Sequence, residues 1–478
     1  MGRVFSKYHI GLIISCLLGL QLLAQDNSAS PGGETVSFER TNTGHASGFT
    51  IRNIVIAGNR KTKPVIILRE IPFTSGETMR LQDIVGQFDN ARRLLMNTAL
   101  FQDAQVTLKS IVDHDVDVLV TVKERWYVFP MPYFKPVDRN LNEWLVKHDG
   151  SFNRVNYGVK LIDNNTTGFN DKLQIWMLNG YTKQLSFRYD RLYIDHRLRW
   201  GANIGFSTGK NREVNYNTIR NKQAFLRADR YIRNFTWVKG EITFRPAIKT
   251  IHRFGLMVTN ENVKDTILDL NPNYFKKNSS YLTFPELYYG LSYSDLDFNP
   301  YPTKGYAAEF SISQRGFNKR SHVFQVMTKA SAYWPVAKHT FAAMSGFGII
   351  KAPFKQPYFS SRLLGYDDFI QGYEYYVIDG VAGGIFKAAL VRELFSTKFR
   401  TPAYKGHGGC ITPLRVFGKI YGNAGYVYNE NPGANSLSNK VLFSGGIGLD
   451  ILTFYDYTIK LEWTFNQLGQ NGLFLHHK

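Results

Sequence analysis

The sequence predicts a mostly β protein, a transmembrane antiparallel β-barrel of about sixteen strands that follows one small α+β domain. Three observations lead to this fold class. Residues 1–24 have the pattern of a secretory leader, aromatic residues make up 15% of the chain, and polar and apolar residues alternate through most of its length. Barrels of the outer membrane have this composition because one face of each strand meets lipid and the other meets water.

The N-terminal residues predict a secreted protein. Residues 1–24 have the layout of a signal peptide, in which Arg3 and Lys7 precede an apolar stretch. A lipoprotein signal is the alternative, because the residues ending at Cys16 loosely match a lipobox, so the lipidation of Cys16 stays open. Residues 25–48 are rich in Ser, Asn, Gly and Thr and predict a flexible linker. No later stretch has the roughly 18 to 20 unbroken apolar residues of a spanning helix, so such a chain is either soluble or a closed barrel.

The formal net charge of +20 bears on the partners to expect. Lys and Arg residues are scattered along strand-like segments and form no basic run of the kind that marks a nucleic-acid arm. Nucleic acid is therefore not an expected partner. Three interpretations of the charge remain: a lumen lined by cations, attraction to the anionic headgroups of outer-membrane lipid, and a merely basic surface.

No catalytic or cofactor site is expected. Cys410 would be the only thiol after the leader, and the Cys and His residues lack the spacing of metal ligands. Neither a Gly-x-Ser-x-Gly elbow nor a His-Glu-x-x-His motif occurs. We therefore expect that the protein is not an enzyme and that it uses neither a metal nor a cofactor.

A small α+β module is predicted over residues 49–124. Its second helix has apolar residues at the 3.6-residue spacing of an amphipathic helix, and Gly and Asn turn signals bound its strands. The predicted core places Ile54 and Val55 in a sheet covered by Leu94 and Phe101, and we expect it to be separate from the core of the following part. The predicted elements, in β-α-α-β-β order, are 50–57, 63–69, 80–100, 104–112 and 115–123.

This module resembles a POTRA domain. The resemblance implies strand addition, in which an unfolded outer-membrane protein client, or another envelope protein, pairs with the edge of the sheet. A spacer that only carries the following domain is the alternative. The matching residues are Ile54 to Asn59, Arg69 to Ile71, Gly76 and Glu77, Asn90 to Leu94, Asn97, and Leu100 with Phe101.

Residues 151–478 predict the barrel, and 125–150 a connector into it. Apolar and polar residues alternate in segments such as 457–465, as in a strand between lipid and a wet lumen. One such strand would also suit a soluble sheet, but many aromatic ones in series favour a barrel. The predicted strands are 151–163, 170–179, 182–193, 196–208, 221–233, 235–246, 251–262, 280–293, 305–315, 321–335, 338–350, 383–394, 412–427, 441–452, 455–466 and 471–478.

The longest gap between predicted strands, residues 351–382, carries the most informative motif. After Gly365 it contains Gln371, Gly372 and Tyr373 in succession, which resemble the Val-Arg-Gly-Phe/Tyr motif of the BamA/TamA family of bacterial surface antigen barrels. That family's loop folds back into the barrel. We therefore expect Gly372 to lie where a β-carbon would clash with the inner wall.

Two further signatures agree with this resemblance. Residues 299–305 resemble the family's turn into the ninth strand, and residues 446–450 resemble its Gly-x-Gly-x-Asp strand near the end. All three motifs occur in the family's order. The resemblance implies a sixteen-stranded barrel in the outer membrane with a role in protein insertion or translocation.

Two departures from the family pattern concern the site. Gln371 stands where the family has arginine, so we expect the loop to bond to an acidic wall residue through an amide, with Asp450 as the first candidate and Glu393 as the second. Alternatively, Gln371 is an ordinary loop residue and a cation such as Arg362 holds the loop. The second departure is the end of the chain, where we expect Phe474 to serve as the terminal aromatic signal of such barrels.

Two functions follow. In the first, the POTRA domain captures a client strand, and the barrel inserts it through a lateral seam between strands 151–163 and 471–478, where Gly158, Gly472 and Phe474 lie. In the second, the chain is a passive pore or a structural partner whose POTRA domain docks another envelope protein. The loop motif favours the first. Both place the barrel in the bacterial outer membrane and the POTRA domain in the periplasm, and a single POTRA domain indicates a specialised role.

Overall fold

Two β-sheets of different size contain most of the structure. A computed structural model describes residues 48–136, 152, 155–318, 321–400 and 411–477. A sheet of four strands precedes one of sixteen, in which every neighbouring pair is antiparallel. The predicted fold class, a sixteen-stranded barrel after one α+β domain, is confirmed. The predicted leader with Cys16, nearly all of the predicted linker and most of the predicted connector lie outside the described residues.

The smaller sheet and two helices form the α+β domain. Its elements are β1 (Gly48–Ala57), α1 (Pro64–Glu70), β2 (Thr78–Arg80), α2 (Leu81–Asn97), β3 (Phe101–Val112) and β4 (Asp115–Glu124). The sheet order is β2-β1-β4-β3, with β1 parallel to β4 and the other pairs antiparallel. The sequence predicts every element except β2, since three residues are too few to show an alternating pattern.

The core of this domain lies between its sheet and its helices. Phe101 is fully buried in it, and Ile54 packs against it. Val55 lies outside this apolar cluster, because successive strand residues point to opposite faces of a sheet. Leu94 is buried, but it lines a cavity next to the barrel, and its neighbour Leu95 occupies the core. Val55 and Leu94, two of the four predicted core residues, therefore lie outside this core.

Asp117 fastens three strands of this domain together. Its carboxylate accepts hydrogen bonds from Arg52 at 2.6 and 3.0 Å, from Asn53 at 3.1 Å and from Ser110 at 2.6 Å. Asn53 and Ser110 each follow a β-bulge, in β1 and in β3 respectively. Hydrogen bonds from Arg52 and Ser110 hold the pKa of Asp117 well below its usual range, so the carboxylate that fixes both bulges stays ionised.

The larger sheet curls into the barrel. Its strands are β5 (Val128–Pro136), β6 (Val155–Asp163), β7 (Lys172–Gly180), β8 (Thr182–Tyr193), β9 (Trp200–Asn211), β12 (Arg233–Ala247), β13 (Thr250–Val263), β14 (Tyr281–Leu296), β15 (Gly305–Arg315), β16 (Val323–Ala337), β17 (Thr340–Ala352), β18 (Ala382–Arg400), β19 (Ile411–Tyr428), β20 (Val441–Leu452), β21 (Thr458–Asn466) and β22 (Asn471–His477). β10 (Glu213–Ile219) and β11 (Lys222–Arg227) form a separate hairpin between β9 and β12.

The predicted number of barrel strands is confirmed, but one predicted strand lies outside the barrel and one barrel strand was not predicted. The predicted strand 221–233 is wrong, because residues 222–227 form the hairpin strand β11, which does not join the barrel. The first barrel strand is instead β5, inside the predicted connector 125–150. β5 escapes a pattern search because it contains Pro130, Pro132 and Pro136, and proline argues against a strand in the middle of a sheet.

The alternation predicted for residues 457–465 distinguishes the two faces of the wall. In β21, Glu462 and Thr464 are fully buried, whereas Trp463 and Phe465 are 44% and 54% exposed. Side chains of β15 to β18, β21 and β22 line one shared cavity, which places the buried polar face inside the barrel. The outer face is therefore apolar and the inner face polar, as a barrel in lipid requires.

The α+β domain is docked against the turns at one end of the barrel, which we call the near end. Arg245 donates hydrogen bonds to Glu70 at 2.6 and 2.8 Å, and Arg93 Nη1 lies 3.1 Å from Asp295. Leu198, in the β8–β9 turn, is buried in the same apolar cluster as the core of the domain. The expectation of two separate cores is therefore wrong, and the chain from Gly48 onward forms one compact unit.

The opposite end, which we call the far end, carries the β10–β11 hairpin and two short helices, α3 (Asp265–Leu270) and α4 (Tyr358–Ser361). Among the described residues, no helix combines the length and the apolar character that a membrane crossing requires. The far end has an apolar cluster of its own, which includes Val214, Ile232, Val263, Ile267, Leu268, Tyr274, Phe275, Leu282, Phe284 and Tyr358.

Candidate functional site

The segment between β17 and β18, residues 353–381, enters the lumen from the far end, and we call it the inward loop. Leu364, Ile370 and Tyr373 are almost completely buried in a cluster that includes residues of β17 to β20. Gly365 turns the loop with φ at +87°, and a β-carbon there would collide with the carbonyl oxygen of Tyr376. The loop is therefore packed against the wall as a structured element.

Gly372 allows the loop to lie against the wall. Its φ is +88°, and a β-carbon would lie 2.7 Å from Thr464 Cγ2 and 3.4 Å from Ser444 Cβ. Its carbonyl oxygen accepts a hydrogen bond from Asn466 Nδ2 at 2.7 Å. The next residue, Tyr373, donates a hydrogen bond to the carbonyl oxygen of Phe443. Only glycine combines this backbone conformation with so close an approach.

Gln371 is bonded to the wall, but its partner is neither of the predicted residues. Its Nε2 donates a hydrogen bond of 2.6 Å to Oε1 of Glu462. Asp450 instead accepts a hydrogen bond from Tyr301 at 2.9 Å, and Glu393 is paired with Arg415 at 2.8 Å. The strand register explains the difference.

Glu462 lies nearer the far end than the two predicted acids. It is opposite Gly448, two residues before Asp450 along a strand that descends from the far end. Glu393 is opposite Phe417, which in turn is opposite Asp450, so both predicted acids lie at one deeper level. A loop that enters from the far end therefore meets Glu462 first.

Lys419 supplies the cation at this site. Its Nζ lies 2.6 Å from Asp450 Oδ1 and 2.6 Å from Glu462 Oε1, and the exposed fractions of the three side chains are 6%, 4% and 0%. We call Lys419, Asp450 and Glu462 the buried triad. Two carboxylates that share one ammonium group remain a net negative pair, to which Gln371 adds only a neutral donor.

The second glycine of the wall motif at 446–450, Gly448, explains how the triad assembles. Gly448 lies between Lys419 and Glu462 in the strand register. A β-carbon on it would lie 2.9 Å from Lys419 Cε and 3.3 Å from Glu462 Cγ. The missing side chain leaves room for Lys419 to reach across β20. Alternation alone indicates that Lys419 and Glu462 face the lumen, but only the register shows that they meet.

The inward loop also holds the last strand of the barrel. Phe369 is stacked on His476 with ring centroids 5.0 Å apart, and the ring of Tyr375 lies 5.7 Å from that of Phe474. His476 Nε2 is 3.3 Å from Glu374 of the loop. Phe474 thus contacts the loop, in addition to its predicted role as a terminal signal.

The alternative anchor, Arg362, has a different partner. Its Nη2 donates a 2.8 Å hydrogen bond to the carbonyl oxygen of Asn215 in the hairpin strand β10, and its guanidinium lies 5.2 Å from the ring centre of Tyr358. Arg362 therefore holds the base of the loop to the far-end hairpin, while Gln371 holds its tip to the wall. From the sequence, Gln371 and Arg362 are alternative anchors, whereas in the structure both side chains hold the loop, at different places.

The lateral seam, which we define as the interval between β5 and β22, differs from every other strand boundary. Among the described residues, no backbone ladder joins these two strands, although they are the two ends of the sheet. The backbone nitrogens of the three prolines in β5 all point to the same edge of the strand, because Pro130, Pro132 and Pro136 occupy even-numbered positions. All nine residues of β5 pair with β6. Because proline is tolerated where its nitrogen faces away from a ladder, the missing donors lie on the seam side.

The residues predicted at the seam are divided between two places. Gly472 and Phe474 lie in β22 and border it. Gly158 does not, because it lies in the second strand, β6, where a β-carbon would collide with the carbonyl oxygen of Met177 in β7. The prediction that 151–163 is the first strand is therefore wrong. At the near end, Phe129 of β5 contacts the turn between β20 and β21, where its ring is 5.5 Å from that of Tyr455.

Removal of the Gln371 amide should loosen the loop tip by a small amount. Gln371→Ala loses one hydrogen bond to Glu462, and we expect anchoring to weaken by about 1 kcal/mol. Gln371→Arg should tighten it, because the buried triad has two carboxylates and one ammonium group. Hydrogen exchange of the loop amides measures both effects. Gln356→Ala is the control, since that side chain bonds only within the loop, and an equal response of the two alanine variants would contradict the assignment.

Within the described residues, no three His, Cys, Asp or Glu side chains are grouped as metal ligands would be.

Comparisons with known proteins give two family matches. The Omp85 superfamily domain matches residues 165–454, and POTRA, described as a surface antigen variable number repeat, matches residues 49–125. No curated protein matches the chain.

Solved structures also resemble the chain. BamA from Haemophilus ducreyi lacking POTRA domains 1–3 is 16% identical, with 100% of this chain and 94% of that chain covered and a TM-score of 0.48. CdiB from Escherichia coli is 10% identical, with 100% and 98% covered and a TM-score of 0.46. CdiB from Acinetobacter baumannii is 9% identical, with 90% and 73% covered and a TM-score of 0.49.

Proposed function

The chain belongs to the Omp85 superfamily, a family of outer-membrane β-barrel proteins, and from this premise we propose that it captures protein clients with its POTRA domain and inserts or translocates them through the lateral seam. Membership of the family supports a role in insertion or translocation at the outer membrane. The seam route, the capture of a client strand and a periplasmic position of the POTRA domain are our proposal. It includes no catalytic step.

The observation that carries this proposal is the construction of the seam. A strand boundary without a backbone ladder costs little to separate, and three prolines on one edge of β5 remove donors that closure would need. The inward loop contacts β22 from inside through Phe369 and Tyr375. A barrel that serves only as a passive pore needs neither an unpaired boundary nor a loop fastened to the strand beside it.

The POTRA sheet offers an edge for capture. β3 is the end strand of this sheet, and Leu108, Ile111 and Val112 on it are 39%, 52% and 50% exposed. The opposite edge is partly covered, because β2 pairs with the first residues of β1. An extended client strand that joins β3 would gain main-chain hydrogen bonds, and these apolar side chains would contact it.

Photocrosslinking in living cells tests the proposal. A photoreactive residue is placed at Leu108 on the POTRA edge and at Leu473 on the seam, with Leu256 on the outer wall of β13 as the control position. We expect unfolded outer-membrane proteins to be captured at the first two positions and not at the third. Capture of one folded envelope protein at Leu108, with nothing at Leu473, would contradict client insertion and favour the structural-partner function.

A further inference from the structure

A cavity of about 580 Å³ lies between the POTRA domain and the near end of the lumen. Side chains from α1 and α2 line one side of it, and residues of β8, β9, β12, β13 and β14 and the adjoining turns line the other. A client that passes from the POTRA domain toward the barrel would meet this cavity first. Its volume lies within the range of typical ligand sites.

The lining of this cavity is strongly basic. Nine Arg and Lys side chains contribute to it, against four Asp and Glu side chains. The larger lumen cavity beside the inward loop, of about 860 Å³, has three Lys side chains and four acidic ones. The excess of positive charge is therefore concentrated at the near end and does not follow the lumen as a whole. Of the three interpretations of the net charge, this concentration favours cations that line the lumen, at its near end.

Several of these cations lack acidic partners. Arg191, Arg199 and Arg253 line the cavity, and none of the carboxylates among the described residues lies within salt-bridge distance of them. Arg69 also lines it, and its buried Nη1 donates to no acceptor in the described part of the chain. A buried donor without an acceptor, among cations that exceed the acids, indicates an anionic ligand.

We propose that this near-end cavity binds acidic segments of client polypeptides as they leave the POTRA domain. The inference rests on the proposed function and names the class of client sequence that the chain would favour, one rich in Asp and Glu. Arginine suits carboxylates because its fork of donors can hold both oxygens. The attraction raises the local concentration of acidic segments at the near end of the lumen.

Peptide binding to the full chain in detergent tests this inference. The probe is a fluorescein-labelled octaglutamate peptide, with octaglutamine as the neutral peptide, and anisotropy reports binding. The cavity variant combines Arg191→Gln, Arg199→Gln and Arg253→Gln. The control variant removes the same charge at the far end through Lys264→Gln, Lys276→Gln and Lys277→Gln. A heat-dependent shift in gel mobility checks that each variant keeps a folded barrel.

We expect octaglutamate to bind the unmodified chain and the control variant with similar affinity, and the cavity variant at least tenfold more weakly. Binding should weaken with added salt, which screens such contacts. Equal loss in the two variants, or equal binding of octaglutamine, would overturn the inference. So would displacement of the peptide by millimolar inorganic phosphate at matched ionic strength, which would assign the cavity to phosphate groups. The assay needs no client assembly. A chain that inserts clients but does not bind octaglutamate would refute this inference alone. A chain that binds octaglutamate but assembles no client would refute only the proposed function.

Discussion

Lys419→Met should destabilise the barrel by about 3 to 5 kcal/mol, because it leaves two buried carboxylates without their shared cation. Asp450 and Glu462 are 4% and 0% exposed, so each carboxylate depends on the ammonium group more than a surface carboxylate would. Urea unfolding in detergent, followed by tryptophan fluorescence, measures the loss. Lys387→Met is the matched control, since Lys387 also faces the lumen, lies over the ring of Phe369 and makes no salt bridge among the described residues.

Two second-site variants separate the loss of charge balance from a packing defect. Lys419→Met combined with Asp450→Asn and Glu462→Gln removes all three charges and should recover most of the stability. Lys419→Met combined with Gln371→Arg moves the cation from the wall to the loop and should recover part of it through Glu462. Equal destabilisation by Lys419→Met and the Lys387 control, with no recovery in either combination, would show that the triad is not held by charge.

Phe101→Ala should destabilise the POTRA domain by about 3 to 5 kcal/mol, the usual cost of removing a large aromatic side chain from a core. Phe101 is fully buried beside Leu95 and Leu100. Hydrogen exchange of β3 and β4 amides reports the loss. Val55→Ala is the control, because Val55 lies outside the apolar cluster of this core, and we expect a much smaller effect.

The barrel should tolerate the Phe101 change. Leu198 of the β8–β9 turn would lose contacts with a loosened domain, but the ladder of the sixteen-stranded sheet does not depend on it. The heat-dependent gel shift of the barrel should therefore remain. Its loss in Phe101→Ala would show that the two parts fold as one cooperative unit, and that the shared cluster at the near end decides the stability of both.

Local patterns were sufficient for much of this fold and for part of the site. Alternation in β21 places Glu462 inside and Trp463 outside, and a glycine between bulky residues in the loop indicates the close approach of Gly372. These features depend on residues close together in the chain. They follow from stereochemistry that every strand and turn obeys, so a single sequence reveals them.

Features that depend on pairing between distant residues could not be predicted in the same way. Gln371 meets Glu462 instead of Asp450 because the register of β20 and β21 sets Glu462 at the level that the loop reaches. β5 is a strand despite its three prolines because it has only one partner ladder to satisfy. Both outcomes are set by which strands become neighbours, and alternation does not contain that information.

A disulfide across the lateral seam tests the central claim most directly. Cysteines are placed on β5 at Met131 or Tyr133 and on β22 at Leu473 or Leu475, in a Cys410→Ser background, and the oxidised pairs are assayed for insertion of an outer-membrane client into liposomes. The control disulfide joins the facing positions Val159 and Met177 of β6 and β7, which are already paired. We predict that oxidation across the seam abolishes insertion, that reduction restores it, and that the control stays active. Full activity of the oxidised seam in a folded barrel would contradict insertion through the seam.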